Sequence, residues 1–214
     1  MYDWIKDKDF LGRMRRECSD VVNRLVQIIN NENYLQVEMQ MVGSGAKKLE
    51  TQNAKEPVDL DYNISITDID GDINDCHKIK EYIRQKFNEA LNSKGWRNCH
   101  DSKSALTIEK RHFLKGNPTE FSIDVAIVVE SKKTWYRLIR EKTRYVSNDK
   151  WYWNEGPDSN GLTDRVDWLK ENNYWNDVRD TYIEKKNMYL RRGDKNHPSF
   201  NCYIEAVNEV YNKN

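Results

Sequence analysis

Two stretches of strict two-residue alternation constrain this chain more than any other feature. Between residues 58 and 66, Val58, Leu60, Tyr62, Ile64 and Ile66 alternate with Asp59, Asp61, Asn63 and Ser65. Between residues 121 and 130, Phe121, Ile123, Val125, Ile127 and Val129 fall on one side, and Ser122, Asp124 and Ala126 on the other. Successive strand side chains point to opposite faces, so each run predicts a strand with an apolar face for a core and a second face that carries carboxylates. Asp59 and Asp61 then share a face, roughly 6–7 Å apart along the backbone. Asp124 lies on the less apolar side of its own strand.

The rest of the chain supplies what such strands pack against. Phe10, Leu11, Met14, Cys18, Val21, Val22, Leu25, Val26 and Ile29 recur every three or four positions, which predicts an amphipathic helix over about 8–30. Leu35, Val37, Met39 and Met41 alternate with Gln36, Glu38 and Gln40, predicting a strand that stops at Gly43-Ser44-Gly45. Cys76, Ile79, Tyr82, Ile83, Phe87, Ala90 and Leu91 mark a second helix ending near Gly95, and short strands are expected near 105–108 and 135–139. Beyond these, helices are expected at about 162–172, 176–191 and 198–212, the last introduced by His197-Pro198. The weak boundary signal is the Gly- and Asn-containing segment 154–161. The expectation is an α/β (α+β) fold: a mixed, mostly antiparallel twisted sheet flanked by helices on one face. Residues 1–150 form its core with the N-terminal helix, and residues 151–214 a helical C-terminal section packed on it.

Charge narrows the partners. Lys+Arg and Asp+Glu both total 35 in the 214 residues, so the whole molecule has no general attraction for a long polyanion, and strong duplex nucleic-acid binding is not expected. No apolar run approaches the roughly 20 residues that a membrane span needs. Cys18, Cys76, Cys99 and Cys202 are scattered and lack paired zinc spacing, which fits a reducing, cytoplasmic setting. Cys76-His77 and Cys99-His100 are adjacent pairs and lack the spacing of a chelating turn.

Hard divalent cations take oxygen ligands, chiefly carboxylates. Two such ions, about 3.5–4 Å apart, can activate an attacking hydroxyl and neutralise a phosphate leaving group. Asp59 and Asp61 on one strand face and Asp124 on the polar side of another are the candidate ligands and the candidate catalytic residues, for two Mg2+ ions with Mn2+ as a substitute. A solitary Asp-x-Asp is common on solvated strands; the upstream Gly43-Ser44 and the downstream Asp124 turn the reading toward a metal site. Gly43 permits close backbone approach, and Ser44 offers a hydroxyl and an amide to phosphate oxygens.

Val42-Gly43-Ser44, Asp59-Leu60-Asp61 and Asp124 together resemble the DNA polymerase beta-like nucleotidyltransferase superfamily, over residues 35–130. Within it, the Gly-Ser-x-x-Lys turn is similar to those of oligoadenylate synthases, cyclic-dinucleotide synthases and antibiotic nucleotidyltransferases. The resemblance implies transfer of a nucleoside monophosphate from a nucleoside triphosphate, ATP favoured, to an acceptor hydroxyl, with release of pyrophosphate. Asp59, Asp61 and Asp124 would hold the metal, and Gly43 and Ser44 the triphosphate. The acceptor, whether small molecule, nucleotide, RNA or protein, is left open. Two departures stand out: the loop between Ser44 and Asp59 is longer than usual, and the helical tail is short. The alternative is a non-catalytic nucleotide-binding regulatory or interaction protein that retains the fold.

Other features read two ways. Lys47 and Lys48 suit an exposed turn as well as a phosphate. Lys132, Lys133, Arg137, Arg140, Lys142 and Arg144 form a basic stretch that reads as a charged face or as a contact for a polyanion. Trp151, Tyr152, Trp153, Trp168, Tyr174 and Trp175 could stack on a base, although such aromatics more often join helices to a core.

Overall fold

The computed structural model describes residues 1–156, 161–194 and 197–214. They divide into two compact units, one of residues 6–48 and 57–156, the other of residues 1–5, 49–56 and the described residues from 161 onward.

The first unit begins with α1 (Lys8–Asn30), started by Asp7, whose carboxylate accepts from the Phe10 amide at 2.9 Å. Its buried stripe is Phe10, Met14, Cys18, Val21, Val22, Leu25, Ile28 and Ile29, the helical period that the sequence announces. Then come β2 (Leu35–Val42), the short helix α2 (Gly43–Lys47), and β4 (Val58–Ile69). Helix α3 (Cys76–Ser93) is capped by Asp75 and ends as expected at Gly95, with the Trp96 amide returning to the Leu91 carbonyl at 2.9 Å. Strands β5 (His100–Asp101), β6 (Leu106–Arg111), β7 (Phe121–Ser131), β8 (Thr134–Glu141) and β9 (Lys150–Glu155) complete the unit, while β1 (Tyr2–Trp4) and β3 (Thr51–Asn53) belong to the other one.

Strand order is β2-β4-β7-β6-β5, with β8 pairing β7 and β9. Strand β7 is shared: β6 runs along its first half and β8 along its second. Among the described residues only β4 and β7 are parallel and the other pairs of this sheet are antiparallel, so the mixed, mostly antiparallel sheet is as expected. On one face Leu60, Tyr62, Ile64, Ile123 and Val125 are fully buried beneath α1 and α3, which pack on each other and on the strands. Each such aliphatic side chain contributes about 1.5–3 kcal/mol on leaving water. The alternate residues of β4 and β7, including the aspartates, occupy the opposite face.

The second unit pairs β1 (Tyr2–Trp4) with β3 (Thr51–Asn53) and adds α4 (Leu162–Glu171), α5 (Trp175–Arg191) and α6 (Ser199–Lys213), close to the three helices read from the sequence. Leu49, Leu169, Val178, Tyr182, Ala206 and Val207 form its core. The Asn187 amide of α5 clasps the Tyr2 backbone, accepting from its N–H at 2.7 Å and donating to its carbonyl at 3.0 Å.

This division departs from the sequence reading in two places. Residues 151–155, read there with the helical section, are most of β9 and pair with β8. Residues 1–5 and 49–56, read with the core, belong to the helical unit through β1 and β3. Of the boundary segment 154–161, residues 157–160 lie outside the described residues.

Candidate active site

Parallel pairing of β4 with β7 sets Asp59 beside Ser122 and Asp61 beside Asp124. Register partners on neighbouring strands share a face, with backbones about 4.8 Å apart. The three aspartates are therefore neighbours on one face. On the far side of β4, Val42 is the register partner of Asp61; this brings Gly43, the next residue, to the same acid.

Each carboxylate has its own surroundings. Asp59 is exposed and accepts a hydrogen bond from the Ser122 hydroxyl. Asp124 accepts from the Thr107 hydroxyl at 2.5 Å, and Thr107 in turn meets the Ser102 hydroxyl at 2.9 Å. Asp61 lies against Gly43. Burial, followed by the charges of Asp124 and Asp59, pushes the Asp61 carboxyl up to about 6, against the weaker pull of Arg137 and Lys47. Burial also raises Asp124; the Thr107 hydrogen bond opposes it, and the charges of Asp59 and Glu109 add to it.

Burial and neighbouring negative charge raise both Asp61 and Asp124, and an all-oxygen donor set on one strand face fits a hard cation such as Mg2+. The side chains do not converge on a single point: among the described residues, no group of three His, Cys, Asp or Glu is placed to hold a metal ion. The site thus fits magnesium by donor type and by face, with two of its acids turned toward hydroxyls.

Gly43 opens α2 at φ 63°, a left-handed conformation that favours glycine. A Cβ there would overlap Asp61 Oδ2 and lie 3.1 Å from its Cγ. At Gly45 a Cβ would come within 2.7 Å of Leu60 Cδ2. The small-residue turn is thus packed directly on the strand that carries the acids. Ser44 is half-buried, and its carbonyl accepts from the Lys48 amide.

Strand alternation sorts the basic stretch. Arg137 pairs in register with Val128, on the acid face, and its charge acts on both Asp61 and Asp124. Arg140 lies on the other face, bound to Asp101 at 2.5 Å and Asp149 at 2.8 Å. The aromatic set is divided between the two units. Trp153 donates its indole N–H to the Ile73 carbonyl at 2.8 Å, whereas Trp168 and Tyr174 stack at 5.8 Å in the helical unit. The four cysteines are free and buried, and His77 rests on the Trp151 ring at 4.2 Å. Sequence reading missed Thr107, Ser122 and Ser102 as partners of the acids. Ser122 shares Asp124's parity, but its contact with Asp59 depends on strand register.

No family model matches this sequence, and no curated protein matches it. Solved structures do match in fold. Escherichia coli MS115-1 CdnC with ATP superposes over 99% of this chain and 62% of its own, with a TM-score of 0.61 at 14% identity. The Vibrio cholerae DncV cyclic AMP-GMP synthase, in complex with the linear intermediate 5′ pppA(3′,5′)pG, matches over 96% of this chain and 68% of its own, TM-score 0.60, 10% identity. Escherichia coli DncV, in its 3′-deoxy GTP bound form, matches over 95% and 68%, TM-score 0.56, 13% identity. The chain spans 62% of the length of the CdnC structure. Its fold is the nucleotidyltransferase fold.

Proposed function

We propose that this chain is a magnesium-dependent nucleotidyltransferase that moves a nucleoside monophosphate from a nucleoside triphosphate, ATP favoured, to an acceptor hydroxyl and releases pyrophosphate. One observation carries the reading: Asp61 and Asp124 are register partners on adjacent parallel strands, with Asp59 on the same face and the Gly43 turn against Asp61. Asp59, Asp61 and Asp124 would hold the ions. Bound magnesium would lower the acceptor hydroxyl's pKa and neutralise the triphosphate. Gly43 and Ser44 would steady the β- and γ-phosphates, and Arg137 adds positive charge on the same face. The acceptor oxygen forms a bond to the α-phosphorus as the bond to the bridging oxygen of the β-phosphate breaks. The hydroxyl proton passes to solvent, and pyrophosphate leaves. Above pH 6 Asp61 is ionised, the state in which it can serve as a ligand. Much of such catalysis is positioning and charge neutralisation.

Among acceptors, a second nucleotide is favoured, because the structures of like fold include a cyclic AMP-GMP synthase with a linear dinucleotide intermediate. Incubation with each labelled triphosphate and magnesium, alone and with nucleotide, RNA, protein and small-molecule acceptors, should yield pyrophosphate and a new phosphodiester. Asp59→Asn combined with Asp124→Asn should abolish both, and release that persists in that variant sinks the assignment. A second reading, a nucleotide-binding regulator without turnover, has one observation on its side: the acids are not gathered at metal-holding spacing. Tight magnesium-dependent triphosphate binding with no product from any acceptor would favour it.

A further inference from the structure

The two outer acids of the site share a feature that the middle one lacks. Asp124 Oδ1 accepts from the Thr107 hydroxyl and Asp59 Oδ1 from the Ser122 hydroxyl. Each thereby has one oxygen, Oδ1, engaged by a protein hydroxyl. Asp61 instead meets the Gly43 turn through its own Oδ2.

Neither hydroxyl is loosely placed. Thr107 and Ser122 are both buried, and each is the register partner of one acid's strand position: Thr107 of Asp124 across β6–β7, Ser122 of Asp59 across β7–β4. Since Thr107 donates to Asp124, the proton of the Ser102–Thr107 bond comes from Ser102. The turn that carries Ser102 is fastened from below. The Lys80 ammonium, 2% exposed, donates to the Ser102 carbonyl at 2.9 Å and pairs with Asp101 at 2.7 Å. The chain Lys80, Ser102, Thr107, Asp124 thus links the buried helix layer to the acid face through groups with little freedom.

We infer that Thr107 and Ser122 are positioning residues of the acid site: each hydroxyl fixes one oxygen of its carboxylate and so presents the other as the cation donor. The inference rests on the proposed metal-dependent reading of Asp59, Asp61 and Asp124. A donor that holds a ligating carboxylate typically shifts metal affinity by about 10- to 100-fold when it is lost.

The test is Mn2+ binding to the full chain, followed by electron paramagnetic resonance of the free ion, with and without a non-hydrolysable triphosphate. Thr107→Val, which keeps the shape and removes the donor, should weaken Mn2+ binding about 10-fold or more. Thr107→Ser should restore it to within about threefold. Ser122→Ala should show a similar loss independently, so a failure of one variant to fold leaves the other decisive. Circular dichroism spectra matching the wild type separate a positioning effect from unfolding. Folded Thr107→Val and Ser122→Ala proteins that bind Mn2+ as the wild type does would overturn the inference while leaving the metal site standing. A wild type that binds no Mn2+, indistinguishable from Asp61→Asn, would overturn both this inference and the proposed function.

Discussion

Gly43 permits a test in which backbone strain and a side-chain collision are separated by a matched control. Gly43 has φ 63° and Gly95 has φ 68°, yet a Cβ at Gly95 meets nothing within 4 Å, whereas one at Gly43 runs into the Asp61 carboxylate. Placing alanine in the left-handed region costs about 1–2 kcal/mol at either position. At Gly43 the carboxylate must also swing aside, and an off-rotamer side chain costs roughly 0.5–1.5 kcal/mol more. Gly43→Ala should therefore lose about 1.5–3.5 kcal/mol in urea denaturation, against about 1–2 for Gly95→Ala. In an Asp61→Ala background only the Cβ remains near, 3.3 Å away, and the excess at Gly43 should vanish. Turnover should diverge further: a ligand displaced by about 1 Å costs on the order of 100-fold, while Gly95→Ala, remote from the acids, should keep wild-type activity. Equal stability losses at the two glycines, or an excess at Gly43 that survives Asp61→Ala, would refute the reasoning.

Other perturbations follow from the same contacts. With its carboxyl pushed up to about 6, Asp61 in the folded protein keeps a proton that the unfolded chain releases near pH 4, so metal-free stability should fall as pH rises from about 4 to 6 and stay low above that. At 1.36 kcal/mol per pKa unit the loss is on the order of 2–3 kcal/mol. Asp61→Asn should remove it, leaving the variant more stable than the wild type at pH 8; superimposable pH profiles of the two would contradict this. Lys80→Met takes a buried donor from the Ser102 carbonyl and a partner from Asp101, a loss of roughly 3 kcal/mol. A denaturation midpoint shift worth less than about 1 kcal/mol would show that Arg140 alone satisfies Asp101.

What the sequence disclosed depended on length and on period. Strands β4 and β7 alternate over nine or more residues with one face wholly apolar, so parity alone assigned every side chain to its face. The helices α1, α3, α4, α5 and α6 showed the 3.6-residue stripe or a terminal signal such as Gly95. Strand β9 was hidden because Trp151, Tyr152 and Trp153 are consecutive aromatics with no alternation, and such a run reads equally as helix packing. Strands β1 and β3 are three residues each, too short for any period, and they exist only because residues about fifty apart pair. The basic stretch looked uniform in sequence; alternation along β8 turns Arg137 to the acids and gives Arg140 to Asp101 and Asp149.

The same distinction explains which parts of the site were legible. Parity placed Asp59 and Asp61 together and put Asp124 on a polar face, but parity cannot say which residue stands beside which. That information lies in the β4–β7 register: with Asp61 opposite Asp124 the two acids share a face, and a slip of one residue would turn Asp124 to the face of Leu60 and Tyr62, into the apolar core. The apolar residues that flank each acid forbid that slip, because Leu60, Tyr62, Ile123 and Val125 are all fully buried and would be exposed together. The core thus sets the register, and with it the burial of Asp61, which raises its carboxyl most, and the nearby charges of Asp124 and Asp59, which add to that rise. A substitution that weakens only the core, such as Ile123→Ala, should cost about 2–5 kcal/mol of stability. It should leave the acidity of Asp61 in the surviving folded protein unchanged when the carboxyl is titrated by NMR. A drop toward the ordinary carboxylate range would mean that Ile123 packing, and not strand pairing alone, keeps Asp61 buried beside Asp124.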